Sequence, residues 1–501
     1  MKAQKTVLVL ASIVGLTSFT SLILTDTTEI KHINNISETS VESNDVTTIQ
    51  FKNSSYRSGQ IVDINIPGKV TATGTINLVN ECADGLIRYG GSFNEGTFAY
   101  AIKNEKITGM VFSGKDVYEL PETAITDNIL YFAKHIDQVR CEKHPGDVAL
   151  AAEGAAIVTN TITSGTVTTG TITTGTVLAS KPNATHHIYL EFNGVKIQDV
   201  LWNGGKLIDA QPSNYTPAQI YTIWQVVSER YAAFNINVTT DVKYYNNAKN
   251  GYRQRVILTP TNSWLPGWGG YAFISSMRAA GTGIYSSTIP CFVFTNMFSS
   301  NMVNVGECVA HEIGHTLGLL HDGTTTSAYY YGQGKWAPIM GCAYGKSIVQ
   351  FSKGEYSKSN NKQDDISIIK NTNKDLQFTT SPTTATGTLN INSINAVNVI
   401  CNQDDYRLYS VKTVKAGSLS LTVSPGTYSA VDLKVDVLNS INGQVLASKD
   451  MPASQKTDIT IAVAPSTYWI RVQGVGESDP LTTGYTKYGS IGTFLLTGTI
   501  K

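Results

Sequence analysis

The hydrophobic pattern of this chain changes character twice along its length. From about residue 45 to residue 150, short runs such as Ile61-Val-Asp-Ile-Asn-Ile66 and Phe98-Ala-Tyr-Ala-Ile102 alternate in period two and are split by Gly and Asn, which predicts a small β-rich unit. Beyond it, a strand-like run at His187-Ile-Tyr-Leu-Glu-Phe192 leads into Thr216-Pro-Ala-Gln219. That tetrapeptide is a capping box with Pro at the first helical position. Ile220, Ile223, Trp224, Val227 and Tyr231 then fall on one face of a long amphipathic helix. Strand candidates follow at Asn235–Thr240, Arg255–Leu258 and Cys291–Phe294, so helices and strands mix in an α/β unit that ends near Asn373. After the Thr-rich junction 379–386 the pattern is again two-fold. Val431-Asp-Leu-Lys-Val-Asp-Val437 alternates strictly, Tyr468-Trp-Ile-Arg-Val472 forms another strand, and Ser424-Pro-Gly426 and Asn442-Gly443 supply turns, which predicts an all-β sandwich.

The expected architecture is therefore multidomain: a leader at 1–25, a β-rich prodomain at 26–157, a linker at 158–183, an α/β domain at 184–375 with a mixed sheet, and a β-sandwich at 384–501. The linker is set by composition. Between Val158 and Val177 the chain becomes a near-repeat of Thr, Gly and β-branched residues without charge, with little to bury. The leader rests on Lys2 and Lys5 followed by an apolar run from Val7 to Leu24, the layout of a secretory signal. No later segment is apolar enough to span a membrane. Secretion to the extracellular space is the expected destination, where the six cysteines supplement a hydrophobic core. Lys plus Arg equals Asp plus Glu at 38 each, which argues against nucleic acid as a partner because that needs a concentrated positive field.

The segment with the sharpest chemistry is Cys308-Val-Ala-His-Glu-Ile-Gly-His-Thr-Leu-Gly-Leu-Leu-His321-Asp322. On a helix, His311 and His315 are one turn apart and converge on one ion, while Glu312 between them reaches a water on that ion. Gly318 takes positive φ, ends the helix and lets His321 fold back as third ligand. Three neutral imidazoles leave one position open, the catalytic rather than the structural arrangement for Zn2+. Chance would supply such a pattern about once in 10,000 chains of this length. The residues predict a zinc endopeptidase acting on a protein or peptide substrate, with Glu312 as general base. The rival class is a non-catalytic secreted adhesin or binding protein built on the same scaffold, which an intact Glu312 disfavours.

With these residues, the chain resembles the metzincin metallopeptidases, and in particular their secreted bacterial reprolysin-like (adamalysin-like) branch, where an Asp follows the third histidine as Asp322 does here. The resemblance implies a methionine turn beneath the metal, matched by Met340 in Trp336-Ala-Pro-Ile-Met-Gly341. It extends over Tyr231–Thr240, Gly269–Ala272 and Gln350–Asp365. Relatives that recruit a tyrosine two residues after that methionine are not matched, since Cys342 stands there. The tail, with Asp405-Tyr406, Gly417–Val423 and Tyr488–Phe494, is similar to a bacterial pre-peptidase C-terminal domain, which implies a non-catalytic module contacting a cell surface or the secretion machinery. The sequence leaves calcium open.

Cys141, in Arg140-Cys-Glu-Lys-His-Pro-Gly-Asp147, resembles the cysteine switch of metzincin propeptides and would ligate the metal only in the zymogen. A disulfide to Cys82 is the alternative. Cys308 can bridge to Cys342 or to Cys291, and spacing does not rank the two. His135, His144, His186 and His187 read as ordinary polar residues. Asp322 is expected to brace the turn by accepting backbone hydrogen bonds, and Trp268, Trp336 and Tyr344 to serve mainly in packing.

Overall fold

In a computed structural model, the described residues are 56–65, 72–114, 116–125, 177–380, 387–390, 394–450 and 456–501. The backbone alone is described for short strands between 8 and 50, at Ile129–His135 and within 162–167. Cys141 and the expected processing regions lie outside these residues. Among the described residues no helix is long and apolar enough to cross a membrane.

The alternating N-terminal region closes into an eight-stranded antiparallel barrel. In ring order its strands are Val46–Gln50, Ile61–Asn65, Ala72–Glu81, Ile87–Phe93, Gly96–Lys103, Lys106–Ser113, Asp116–Ala124 and Ile129–His135. Period-two patterning sends Ile64, Tyr89, Phe98, Tyr100 and Val111 inward, and Tyr89 stacks on Tyr100 at 4.6 Å. Closure removes both sheet edges from competition for other strands.

The α/β unit contains a five-stranded mixed sheet in the order Ile236–Thr239, His186–Glu191, Arg253–Thr259, Pro290–Phe294, Gly270–Tyr271. The first four strands run parallel and the short edge strand is antiparallel to its neighbour. Its helices are α1 (Pro217–Arg230), α2 (Val242–Asn247), α3 (Ser276–Ala279), α4 (Met302–Thr316) and α5 (Asp365–Thr372). The Thr216 and Gln219 capping box forms as the sequence requires. The apolar face of α1 places Ile223, Trp224 and Val227 in one core with Val305, Val309 and Ile313 of α4, each buried aliphatic side chain contributing about 1.5–3 kcal/mol. Two polar braces tie the helices together. Tyr231 Oη donates to Ala310 O at 2.7 Å, and Arg230 pairs with Glu307, both almost wholly buried.

The opposite face of the sheet packs on the barrel. Trp202, Phe273, Phe292 and Phe294 share a cluster with Ala99, Ala101, Phe112 and Val117 of the barrel. Gly90 permits that approach, because a Cβ there would collide with the Val200 backbone. Asn77 Nδ2 donates to Gly204 O and Arg88 Nε to Gly283 O, each at 2.8 Å.

The C-terminal region forms two facing sheets of five and four strands around Val411, Leu421, Val435, Ile470 and Phe494. It docks on the α/β unit through polar groups that are themselves covered. Arg230 Nη1 donates to Tyr428 O, Gln350 Nε2 to Ala430 O at 2.7 Å, and Thr493 Oγ1 to Glu229 at 2.7 Å. Tyr488 and Ile491 enter the α/β core itself.

Candidate metal centre

Helix α4 starts at Asn301, whose side chain accepts from the backbone N–H groups of Val303 and Asn304. It carries His311 and His315 on one face with ring centroids 4.7 Å apart. The helix ends as Gly318 implies. Gly318 takes φ +111°, its N–H donates to His315 O at 2.9 Å, and Leu319 N donates to Gly314 O at 3.0 Å. The reversed chain brings the His321 ring to 4.6 Å from that of His315 and 5.3 Å from that of His311. One nitrogen of each histidine lies within 4.8 Å of the others. The turn is fixed from outside by Gln363, which accepts from Leu320 N at 2.8 Å and donates to Gly318 O at 3.2 Å. Asn361 Nδ2 donates to His321 O at 3.2 Å.

The residues fit a metal ion on the evidence of their outward hydrogen bonds. His311 Nδ1–H donates to Ile339 O at 2.9 Å and His315 Nδ1–H to Leu319 O at 2.8 Å. These bonds assign the lone pair of each ring to Nε2. Nε2 of His311 is buried and has no hydrogen-bond partner among the described residues, a costly arrangement unless a Lewis acid takes the lone pair. Burial holds His311 down to about 4 and His315 down to about 3, and puts His321 well below its ordinary value. The imidazoles are therefore neutral donors at physiological pH.

Met340 packs against α4 at Gly314, between His311 and His315 in sequence. It is fully buried, Asp322 N donates to its carbonyl at 2.8 Å, and its Sδ occupies the space that a side chain on Gly314 would need. The preceding residue, Ile339, supplies the carbonyl that orients His311, so this turn both supports the site and sets a ligand tautomer. Glu312 is also fully buried. It lies against Gly270 of the edge strand, where a Cβ would overlap its carboxylate.

Other expectations change. None of the five described cysteines is in a disulfide. Cys308 and Cys291 both face the main core, and Cys342 belongs to a separate cluster with Tyr329; no Cys308–Cys342 or Cys308–Cys291 bridge is present. Cys82 instead accepts from Arg88 Nη1 at 2.8 Å. Asp322 does not brace the turn through its carboxylate. Its backbone does so, and the side chain, fully buried, accepts from Asn361 Nδ2 at 3.4 Å with the carboxyl of Asp365 nearby. Burial raises both carboxyls, and for Asp365 the Asp322 charge adds to the effect. Trp336 is packed, with its Nε1–H donating to Gln350 at 2.9 Å. Tyr344 meets Phe298 edge to face, and Trp268 meets Tyr271. His186 and His187 are bonded to Thr185 and Asn237, away from the metal site.

One residue at the site carries no motif. Tyr329 places its Oη 3.1 Å from His321 Nε2. The only sequence signal for it is position, in a tyrosine run between the third histidine and Met340.

No family model and no curated protein matches the chain. Among solved structures, it is similar to the pre-peptidase C-terminal domain of a collagenase from Bacillus anthracis at 13% identity, with 23% of this chain and 94% of that chain covered and a TM-score of 0.17. A Yersinia pseudotuberculosis-derived mitogen matches at 9% identity over 22% of this chain and 88% of its own, with a TM-score of 0.17. PliG of Aeromonas hydrophila, a periplasmic inhibitor of g-type lysozyme, matches at 16% identity over 23% and 97%, again with a TM-score of 0.17. The chain itself is built mostly of strands in several sheets.

Proposed function

We propose that this protein is a secreted, metzincin-like zinc endopeptidase. The observation that carries the reading is the convergence of His311, His315 and His321 around one point, two of them with their tautomers fixed by carbonyl acceptors and all buried or half-buried. Neutral nitrogen donors in this number select a borderline-soft ion such as Zn2+. When bound, that ion supplies Lewis acidity and lowers the pKa of a water to about 7.

The chain's own groups do the rest. Glu312 follows His311 directly on α4 and is shut away from bulk water, which suits it to accept a proton from the attacking water and to deliver it to the departing amine. Gly270-Tyr271 lies at the edge of the sheet beside Glu312, so an extended peptide adding to that edge brings its scissile bond to the carboxylate. The absence of a side chain on Gly270 makes room for the Glu312 carboxylate against that edge. The sandwich, by contrast, offers a surface for cell-envelope or secretion partners and takes no part in the chemistry.

Replacing Glu312 by Gln in the full chain tests this. Casein cleavage should drop at least about 100-fold, the lower end of what a general base contributes, while zinc content stays the same. Undiminished cleavage by the variant removes Glu312 from the reaction.

A further inference from the structure

Of the three histidines, His321 alone lies off α4, and the turn that carries it is held by side chains from elsewhere in the chain. Gln363 binds both Leu320 N and Gly318 O, and Asn361 binds His321 O. Both amides belong to the short segment before α5, so they fix the third ligand only as firmly as that segment is itself fixed. Asn361 Oδ1 accepts from Gln363 N at 2.9 Å, which locks the two together. The far end of α5 is tied to the end of the ligand helix, since Asn373 Nδ2 donates to Leu317 O at 3.0 Å. The near end is tied to the C-terminal sandwich.

That tie is one hydroxyl. The first N–H groups of a helix have no acceptor within it. In α5 the N–H of Ile366 donates to Tyr488 Oη at 2.8 Å, while Oη donates to Asp364 Oδ1 at 2.8 Å. Asp364 is the N-cap of α5, and its carboxylate also accepts from Ser367 N at 2.8 Å. The phenol is delivered to this point by a closely held turn. Tyr488 is 5% exposed and sits in the α/β core, Thr486 Oγ1 accepts from Tyr488 N at 3.3 Å, and Gly489 passes so close to Phe351 O that a Cβ would overlap it. Lys353 Nζ lies 4.9 Å from the ring centroid. A continuous path of hydrogen bonds and one peptide step therefore leads from Tyr488 through Asp364 to Gln363 and Asn361, and from them to the backbone of residues 318–321.

We propose that Tyr488 is a positioning residue for the third ligand: by capping α5 it holds the Gln363 and Asn361 clamp that places His321 on the ion. The proposal rests on the three-histidine reading above. Tyr488 touches no reacting atom, yet the sandwich that carries it becomes a working part of the metal site rather than a detachable module. His311 is set by α4 and by the Ile339 carbonyl, so loss of the Tyr488 hydroxyl loosens the turn at 318–321 and not the ligand helix. Supporting partners of this kind act on a metal by orienting its ligands.

The test uses the full chain, stripped of metal and titrated with Co2+, whose visible ligand-field spectrum reports ligand geometry independently of activity. Tyr488→Phe keeps the buried ring; its Co2+ affinity should fall about tenfold, the lower end of what loss of a supporting partner costs, and its spectrum should shift. Gln363→Ala should do the same, and adding Tyr488→Phe to it should lower affinity no further. Thr493→Val removes a different sandwich contact, the 2.7 Å bond to Glu229, and should leave both readouts at wild type. Circular dichroism checks folding; should Tyr488→Phe not fold, Asp364→Ala, at an exposed residue, breaks the same link from the α5 side and is read in the same way. Wild-type affinity and spectrum in that variant, an equal loss in Thr493→Val, or a full additional loss in the Gln363→Ala background overturns the proposal and leaves the zinc peptidase reading standing. Failure of wild type to bind Co2+ at all removes the three-histidine reading itself.

Discussion

Gly314 packs tightly on Met340 beside the three histidines, and this yields a prediction whose sign depends on context. In an exposed helix, Gly→Ala stabilises by about 1 kcal/mol. At Gly314 the added Cβ falls well inside van der Waals contact with Met340 Sδ. Met340 is fully buried among core residues and has nowhere to retreat. Overpacking of this kind costs about 1–3 kcal/mol, so Gly314→Ala alone should destabilise by a net ~1 kcal/mol. Met340→Ala alone should cost about 2–5 kcal/mol through lost transfer energy and a cavity. In that second background the clash is gone, and Gly314→Ala should now stabilise by up to ~1 kcal/mol. The sign reversal amounts to a coupling of roughly 2 kcal/mol, within the range expected of residues in contact. Urea unfolding followed by the fluorescence of the α/β-unit tryptophans, in a Glu312→Gln background that prevents self-cleavage, measures all four corners of the cycle. An effect of Gly314→Ala with the same sign and size in both backgrounds would refute the idea that the methionine presses on the ligand helix.

Three further outcomes are expected. Glu307→Ala leaves Arg230 charged and buried without its carboxylate, and breaking a pair so enclosed should cost about 3–5 kcal/mol in denaturant unfolding; a loss below about 1 kcal/mol would mean the pair is solvated in solution. Asp432 is 1% exposed, and its carboxyl is raised to about 7, chiefly by burial. An acid with its folded pKa above its unfolded value is favoured while protonated, so the contribution of Asp432 is full below about pH 4 and is lost as pH rises through 7. The stability of wild type relative to Asp432→Asn should therefore fall across that window with a slope of at most ~1.4 kcal/mol per unit, and a flat difference would contradict the burial argument. Chelation should lower the melting temperature of the α/β unit, since an ion held at 1,000 times its dissociation constant adds about 4 kcal/mol; calorimetry with and without chelator checks this.

The legible parts of the molecule were those written locally. The capping box at Thr216, the spacing of His311 and His315, and the reversal at Gly318 each depend on a few adjacent residues, and each appears in the structure as the sequence implies. Non-local choices were not readable. Barrel closure needs Val46–Gln50 to pair with Ile129–His135, a decision taken about 80 residues apart that no window of alternation encodes. The run Tyr329-Tyr330-Tyr331 shows the same limit at the site. Identical side chains meet three fates: one faces the imidazoles, one stacks on Tyr356 at 4.2 Å, and one is 46% exposed. Cysteine spacing left the pairings open for a related reason, because sequence distance from His311 and Met340 says nothing about which cluster each thiol faces. Asp322 stands directly after His321 but does not take its expected role, since its backbone N–H and carbonyl are bonded to Met340 and Tyr330.

The glycine-lined seam between barrel and sheet alters what proteolytic maturation would accomplish. A nick between residues 136 and 176 severs the polypeptide after the last barrel strand, yet the two fragments would still share an aromatic layer containing Trp202, Phe112 and Phe273 and the paired hydrogen bonds from Asn77 and Arg88. Parting them would wet that layer, so cleavage by itself liberates a covalent tether rather than a body. Such a cut would leave a two-chain particle, its amino-terminal barrel retained as a floor under the mixed sheet.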